Sequence, residues 1–284
     1  MNAPKRHHYV PEMLSRRFAD ARGMVWFFDK RQPGIGIRDA LPINLMLQRY
    51  LYSETNQDGT KDHSLEYQYS DLESDASIIF DKIERLALMG LVPVLPRQER
   101  DIIDEFVCAQ WRRVPDFNER VFNSERFPQI VAEVAVKYEQ QIGRALTEAE
   151  RQELELIKTD KDVKHRTRVR ALKRPAAQVL AALAAKSLQF LISSAGSTFV
   201  LGSSPVLKTS PGKESSNLNH DQCEVRFAFH PKVALLFTSP WKPDMLVNVP
   251  GSEVDFYNTA VARKSSIIAS NSKASVATHA GLDG

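Results

Sequence analysis

The sequence predicts an α+β fold, a predominantly helical body carrying a small sheet made from an N-terminal strand and strands near the C-terminus. Two patterns and the composition carry this expectation. Apolar residues recur at helical spacing through residues 39–195, the helical middle. Short runs rich in β-branched and aromatic residues, bounded by turn formers, occur at Met24–Phe28 and again through residues 197–271. With 43% hydrophobic and 26% charged residues over 284 positions, the chain has the make-up of a globular protein, and residues 1–284 read as one integrated domain.

The elements follow in order. Pro11 suits the first turn of a short helix whose Met13, Leu14 and Phe18 share a face, and Gly23 punctuates it. Met24–Phe28 reads as a strand, Asp29–Gly36 as a loop, and a further helix is expected from Asp39 or Pro42. A turn at Asn56, Asp58 and Gly59 precedes a long helix over Ser64–Met89, in which Leu65, Leu72, Ile79 and Ile83 lie near helical spacing and which Gly90 closes. After Pro93 and Pro96, a helix bearing Ile102, Ile103, Phe106, Val107 and Gln110 runs to Pro115. Residues 126–157 are helical, with Thr147 and Glu150 spaced as a capping box.

The segment Pro175–Ala195 reads as a buried helix whose Lys186 extends its ammonium to water. Strands are expected at Thr198–Leu201, Val225–Phe229, Val233–Phe237 and Ser266–Ala269, with a mobile loop over 208–222. A helix over Glu253–Lys264 turns Phe256 and Val261 inward, and the tail SKASVATHAGLDG frays.

Lys plus Arg number 38 against 35 Asp plus Glu, so the balance of +3 identifies no polyanion partner by itself. Cys108 and Cys223 stand far apart with no metal-ligand spacing and read as core thiols in a reducing compartment. There is no apolar run near the ~20 residues a bilayer requires and no signal-peptide pattern, so no membrane partner and a cytoplasmic location are expected. The chain lacks a P-loop, a strand-linked GxGxxG, a GxSxG elbow and an HExxH, which disfavours Walker-type hydrolysis, dinucleotide binding, serine-hydrolase and zincin chemistry.

Four clusters remain. His7 and His8 in HHYVP place two imidazoles before a proline and a helix, available as base, acid or metal ligands, against the plainer reading of an exposed basic terminus. Glu66 and Glu73, seven residues apart, fall on one helix face and together with His8 could hold a divalent cation, the alternative being ordinary surface charge. Gln110, Arg112, Arg113 and Arg120 bracket Pro115; a fixed guanidinium there can clamp phosphate or carboxylate, or form an internal ion pair. Lys161–Arg174, including Arg166, Arg168 and Arg170, is a basic run suited to a phosphate backbone or, more simply, a solvated helix.

The order of HHYVPEMLSRRF, Gly23, the VWFFDK strand, Glu66 and Glu73, the Gln110, Arg113, Pro115 segment and Asn258 resembles the bacterial domain of unknown function family 4238 over most of the chain. The resemblance implies residues that come together and names no reaction. Where that family typically has an SDxP-like sequence, this chain reads GSSPV, with Ser204 in place of Asp. One sheet joining both chain ends would bring HHYVP near GSSPV, and the long helix would bring Glu66 and Glu73 to the same cleft.

The function expected is hydrolysis of phosphodiesters, a nuclease in a bacterial defence or toxin setting. His7 or His8 activates water, Glu66 and Glu73 bind Mg, Mn or Zn, Arg113 stabilises phosphate charge and Ser204 retains a hydrogen-bonding role. The alternative is a non-catalytic module in which His8, Glu73 and Arg113 form a structural network and the basic run binds nucleic acid or a protein.

Overall fold

The computed structural model describes residues 5–281, apart from 57, 122, 124 and 213–216. The N-terminal part holds β1 (Arg6–His8), α1 (Glu12–Arg17), β2 (Val25–Asp29), β3 (Arg38–Ala40), β4 (Leu47–Arg49), β5 (Glu54–Thr55) and β6 (Lys61–Asp62). Helices then dominate: α2 (Ser64–Leu88), α3 (Arg97–Arg113), α4 (Pro115–Val121), α5 (Arg126–Ile142), α6 (Glu148–Thr159), α7 (Lys161–Lys173) and α8 (Ala177–Ala184). The remainder comprises β7 (Ser187–Ser193), β8 (Leu201–Gly202), β9 (Val206–Thr209), β10 (Glu224–His230), β11 (Val233–Thr238), β12 (Met245–Val249), α9 (Gly251–Lys264), β13 (Ile267–Ser270) and α10 (Lys273–Ala280).

The fold is α+β, as expected, but its strands divide between two main sheets. One has the order β12-β7-β11-β10-β9, antiparallel except for the parallel β12–β7 pair; the other has the order β3-β2-β13-β8. Pairing of Trp26–Asp29 with Ile267–Ser270 joins the N-terminal strand to a C-terminal one. Two short ribbons, β1–β4 and β5–β6, lie apart from both sheets.

Helix α2 forms because Leu65, Tyr69, Ala76, Ile79, Phe80, Ile83 and Ala87 make one buried stripe along 25 residues, and it stops where Gly90 adopts a φ of 77°. On this stripe Phe80 stacks on Phe229 at 4.6 Å and meets Phe106 edge-on at 5.2 Å, so α2, α3 and β10 share an aromatic core. Apolar packing continues from Tyr9 through to Ala269. Both cysteines are buried free thiols, and Thr147 and Glu150 form the reciprocal capping box that opens α6.

Several elements differ from the sequence reading. Instead of a helix from Asp39 or Pro42 there are β3, a 3-10 turn at Pro42–Asn44 and β4, with Met46 and Tyr50 flanking β4 at positive φ. Pieces this short show no periodicity, and cross-strand pairing decides them. The helix expected over Pro175–Ala195 ends at Ala184, and Ser187–Ser193 become β7 between β12 and β11. A continuous apolar run fits a strand covered on both faces as well as a buried helix. Lys186 does not reach water; it is buried and its Nζ donates to the His220 carbonyl at 3.1 Å.

In α9, Val254, Tyr257 and Val261 face inward while Phe256 is 55% exposed. The tail forms α10 behind a Ser272 cap rather than fraying; its last residues, 282–284, lie outside the described residues, as do 213–216 of the loop expected over 208–222.

Candidate functional site

β1 pairs antiparallel with β4, His7 opposite Gln48, which lifts HHYVP off the surface and aims His7 inward. The His7 ring is fully buried, stacked on Tyr52 with centroids 5.6 Å apart and edge-on to His63. Its Nδ1 accepts the Tyr52 backbone N–H at 3.0 Å, so the proton of the neutral ring sits on Nε2. Glu66 Oε2 lies 3.6 Å from the same Nδ1. Since that lone pair is already occupied by the amide, this approach is not an ion pair, and Glu66 Oε2 is buried without a hydrogen-bond partner. Burial first, and the neighbouring Glu73 charge second, push the Glu66 carboxyl up to about 7 against the pull of Arg113.

His8 is half-buried, with Nε2 3.2 Å from the Ile43 carbonyl, so in the neutral ring Nε2 donates and Nδ1 carries the lone pair. Burial lowers the His8 pKa, opposed by the Ile43 bond and by the charges of Glu12 and Glu73. Glu73 thus raises the proton affinity of both His8 and Glu66, against burial at the first and together with burial at the second.

Arg113 closes α3 and is buried beneath this group. Its Nη1 donates to Glu73 Oε1 at 2.7 Å, and Nε and Nη2 donate to Gln110 Oε1 at 3.0 and 2.8 Å. Gln110 Nε2 in turn donates to the Tyr9 carbonyl at 2.9 Å, tying HHYVP to α3. The Arg113 guanidinium also covers the Tyr69 ring at 5.0 Å. Its fork is therefore directed at Glu73 and Gln110 and works as a brace instead of an open anion clamp.

The expected metal ligands fit poorly. Glu66 and Glu73 do share a helix face, but Glu73 is held by Arg113, and among the described residues no group of three or more His, Cys, Asp and Glu is arranged to hold a metal ion. The donor set falls short of the three or more protein ligands that Zn ordinarily takes and offers no oxygen cage for Mg or Mn.

Ser204 belongs to another group. Its N–H donates to Ser265 Oγ at 3.1 Å and its Oγ accepts from Arg120 Nη2 at 3.4 Å. The neighbouring Ser203 Oγ donates to Asp116 and accepts the Ser266 and Ile267 amides. Gly202 is needed here, because a Cβ on it would stand 2.2 Å from Ser265 Oγ. HHYVP approaches this group through the buried Tyr9, whose phenol burial pushes up to about 12 and whose charged neighbours are Arg31, Asp116 and Asp29. Tyr9, just past β1, thus comes within electrostatic reach of Asp116 on α4, which accepts from Ser203, whereas the sheet that joins the two chain ends, through β2 and β13, does not contain the histidines.

The basic run folds as α7, capped by Asp160, and part of it is internal. Arg168 Nη2 donates to the Leu51 carbonyl at 2.7 Å, Arg170 pairs with Glu54 at 2.9 Å, and Lys173 bridges Glu54 and Asp62. Arg166 is exposed. Asn258, fully buried, accepts from Val200 N and donates to the Thr198 carbonyl, a structural clamp. Tyr52, His63, Asp116 and His165 were not legible as site residues; they follow no motif and gain their partners only on folding.

Comparison with known proteins returns a family model described as Protein of unknown function (DUF4238), which matches residues 6–277. No curated protein and no solved structure matches the chain.

Proposed function

The chain belongs to the DUF4238 family, whose description assigns it no function, and from the site itself we propose that it is a cytoplasmic phosphodiester hydrolase acting on nucleic acid through a His8 and Glu66 acid–base pair. The observation that supports this most is the opposite displacement of the two groups around Glu73: His8 is held neutral with a lone pair on Nδ1, and Glu66 keeps a proton to about 7. An imidazole kept neutral by burial and a carboxyl kept protonated by burial near neutral pH suit the roles of base and acid.

In the proposed reaction His8 Nδ1 takes a proton from the attacking water as the new P–O bond forms. Glu66 gives its proton to the departing oxygen as the old P–O bond breaks, leaving imidazolium and carboxylate for solvent to reset. Arg113 and Gln110 are positioning residues: they fix Glu73, and Glu73 sets the field at both reacting groups.

A second reading is a non-catalytic binding module, favoured by the number of site side chains that hold backbone: His7 on Tyr52, Gln110 on Tyr9 and Arg168 on Leu51. The two separate in one experiment. RNA and DNA are incubated with the protein in chelator and in Mg, Mn or Zn, beside His8→Ala and Glu66→Gln. The hydrolase reading expects cleavage that drops roughly 100-fold or more in each folded variant, with the native rate falling above about pH 7 as Glu66 ionises. Intact nucleic acid under every condition, with retarded mobility on a gel, would establish the binding module instead.

A further inference from the structure

Arg168 presents an unusual charge. Its Nη2 holds the Leu51 carbonyl, but its Nε is buried with no hydrogen-bond partner, and among the described residues no carboxylate pairs with it. The groups that reach it electrostatically are the phenols of Tyr52 and Tyr69, both kept protonated by burial. Withdrawing a guanidinium from water without an anion is unfavourable unless something else supplies the negative charge.

That missing charge has a place to sit. Arg168 lines a cavity of about 210 Å3 between α7, α4 and β4. Lys161, Lys164, His165 and Arg168 fall at helical spacing on one face of α7 and form one wall, facing Glu119 of α4 and Gln48 of β4. Among the described residues neither Lys161 nor Lys164 has an ion-pair partner, so three cations face a single carboxylate, Glu119. Gln48 is the strand partner of His7, which sets the cavity beside the ribbon that carries HHYVP.

We propose that this cavity binds a phosphate group, held by Lys161 and Lys164 with the half-buried Arg168 as the third cation. Two lysines and an arginine on one helix face suit the several oxygens of a phosphate, each able to accept charge-assisted hydrogen bonds. The phosphate belongs to a polynucleotide; that identity rests on the hydrolase reading, whereas the phosphate site does not.

The test is calorimetric titration of the full chain with inorganic phosphate and with a short oligoribonucleotide, with binding read separately from cleavage. Phosphate is expected to bind saturably and to compete with the oligonucleotide. The Lys161→Gln/Lys164→Gln variant, which breaks no side-chain hydrogen bond or ion pair among the described residues, should weaken both by about tenfold, while Arg166→Gln, on the same helix but outside the cavity, changes them by less than about twofold. Absence of saturable phosphate binding overturns the site. So does an equal loss in Arg166→Gln, which would mean diffuse attraction to α7. Phosphate binding without oligonucleotide competition retains the site and assigns it to a free phosphate compound. Because cleavage is not the readout, phosphate can bind where hydrolysis fails, and the reverse.

Discussion

Arg113 Nη1 and Glu73 Oε1 lie 2.7 Å apart, joining the last residue of α3 to the third turn of α2; the guanidinium is 2% exposed and the carboxylate 23%. The pair is the mechanical centre of the site, because Gln110 passes the same bond on to the backbone of HHYVP. Its geometry sets the first expectation.

Glu73→Ala leaves a buried guanidinium with only Gln110 as acceptor and should cost about 3 kcal/mol in urea denaturation. Adding Arg113→Met removes the stranded charge, so the double variant should be more stable than the sum of the single changes by at least about 1 kcal/mol. Strict additivity would mean that the two side chains do not depend on each other.

The protonation of Glu66 makes stability depend on pH in a defined direction. In the folded protein its carboxyl titrates at about 7, against 4.5 for an ordinary glutamate. Between these values the native state binds more protons than the unfolded chain, so this contribution falls as pH rises from 4.5 to about 7 and is level above. Glu66→Gln should match its parent near pH 4.5 and exceed it above pH 7 by about 1 kcal/mol after solvent screening. His8 acts oppositely: its lowered pKa favours the folded state above 6.5 and loses that contribution as pH falls below it. Denaturation of both proteins at pH 5 and pH 8 reads the difference, and a Glu66→Gln variant less stable at pH 8 would contradict it.

Ser204 stands where the resemblance implies an aspartate, and its Oγ lies 3.4 Å from Arg120 Nη2. Ser204→Asp should therefore be tolerated within about 1 kcal/mol while Arg120 is present, and cost about 3 kcal/mol in an Arg120→Ala background, where the buried carboxylate has lost its nearest cation. Thermal denaturation of the four proteins measures the coupling. A cost independent of Arg120 would show that the arginine does not compensate the acid.

The long elements were legible because their signal repeats. Twenty-five residues of helical spacing define α2, and Thr147 with Glu150 marks a helix start within four residues. The segments at 38–49 and 187–193 were not, since three-residue strands have no period and an apolar run carries no preference between strand and helix until its neighbours cover it. Within the site, the spacing of Glu66 and Glu73 correctly placed both on one face. It could not show that Glu73 would be taken by Arg113 while Glu66 Oε2 has no hydrogen-bond partner among the described residues.

The α+β class, the main helices and the common face of Glu66 and Glu73 follow from local spacing in the chain, while the grouping of His7, His8, Glu66, Glu73, Gln110 and Arg113 was implied by the family resemblance. What each group is free to do was set by contacts between distant segments. Arg113 meets Glu73 across 40 positions, Gln110 meets Tyr9 across 101 and Arg168 meets Leu51 across 117. Burial and the identity of the partner set a side chain's charge state and leave or remove its capacity to bind a ligand, and both are created when distant segments pack. That is why a basic run that reads as a solvated face became a helix with one arginine half-buried, and why one of the paired glutamates ended in an ion pair with Arg113 while the other has its carboxyl pushed up to about 7.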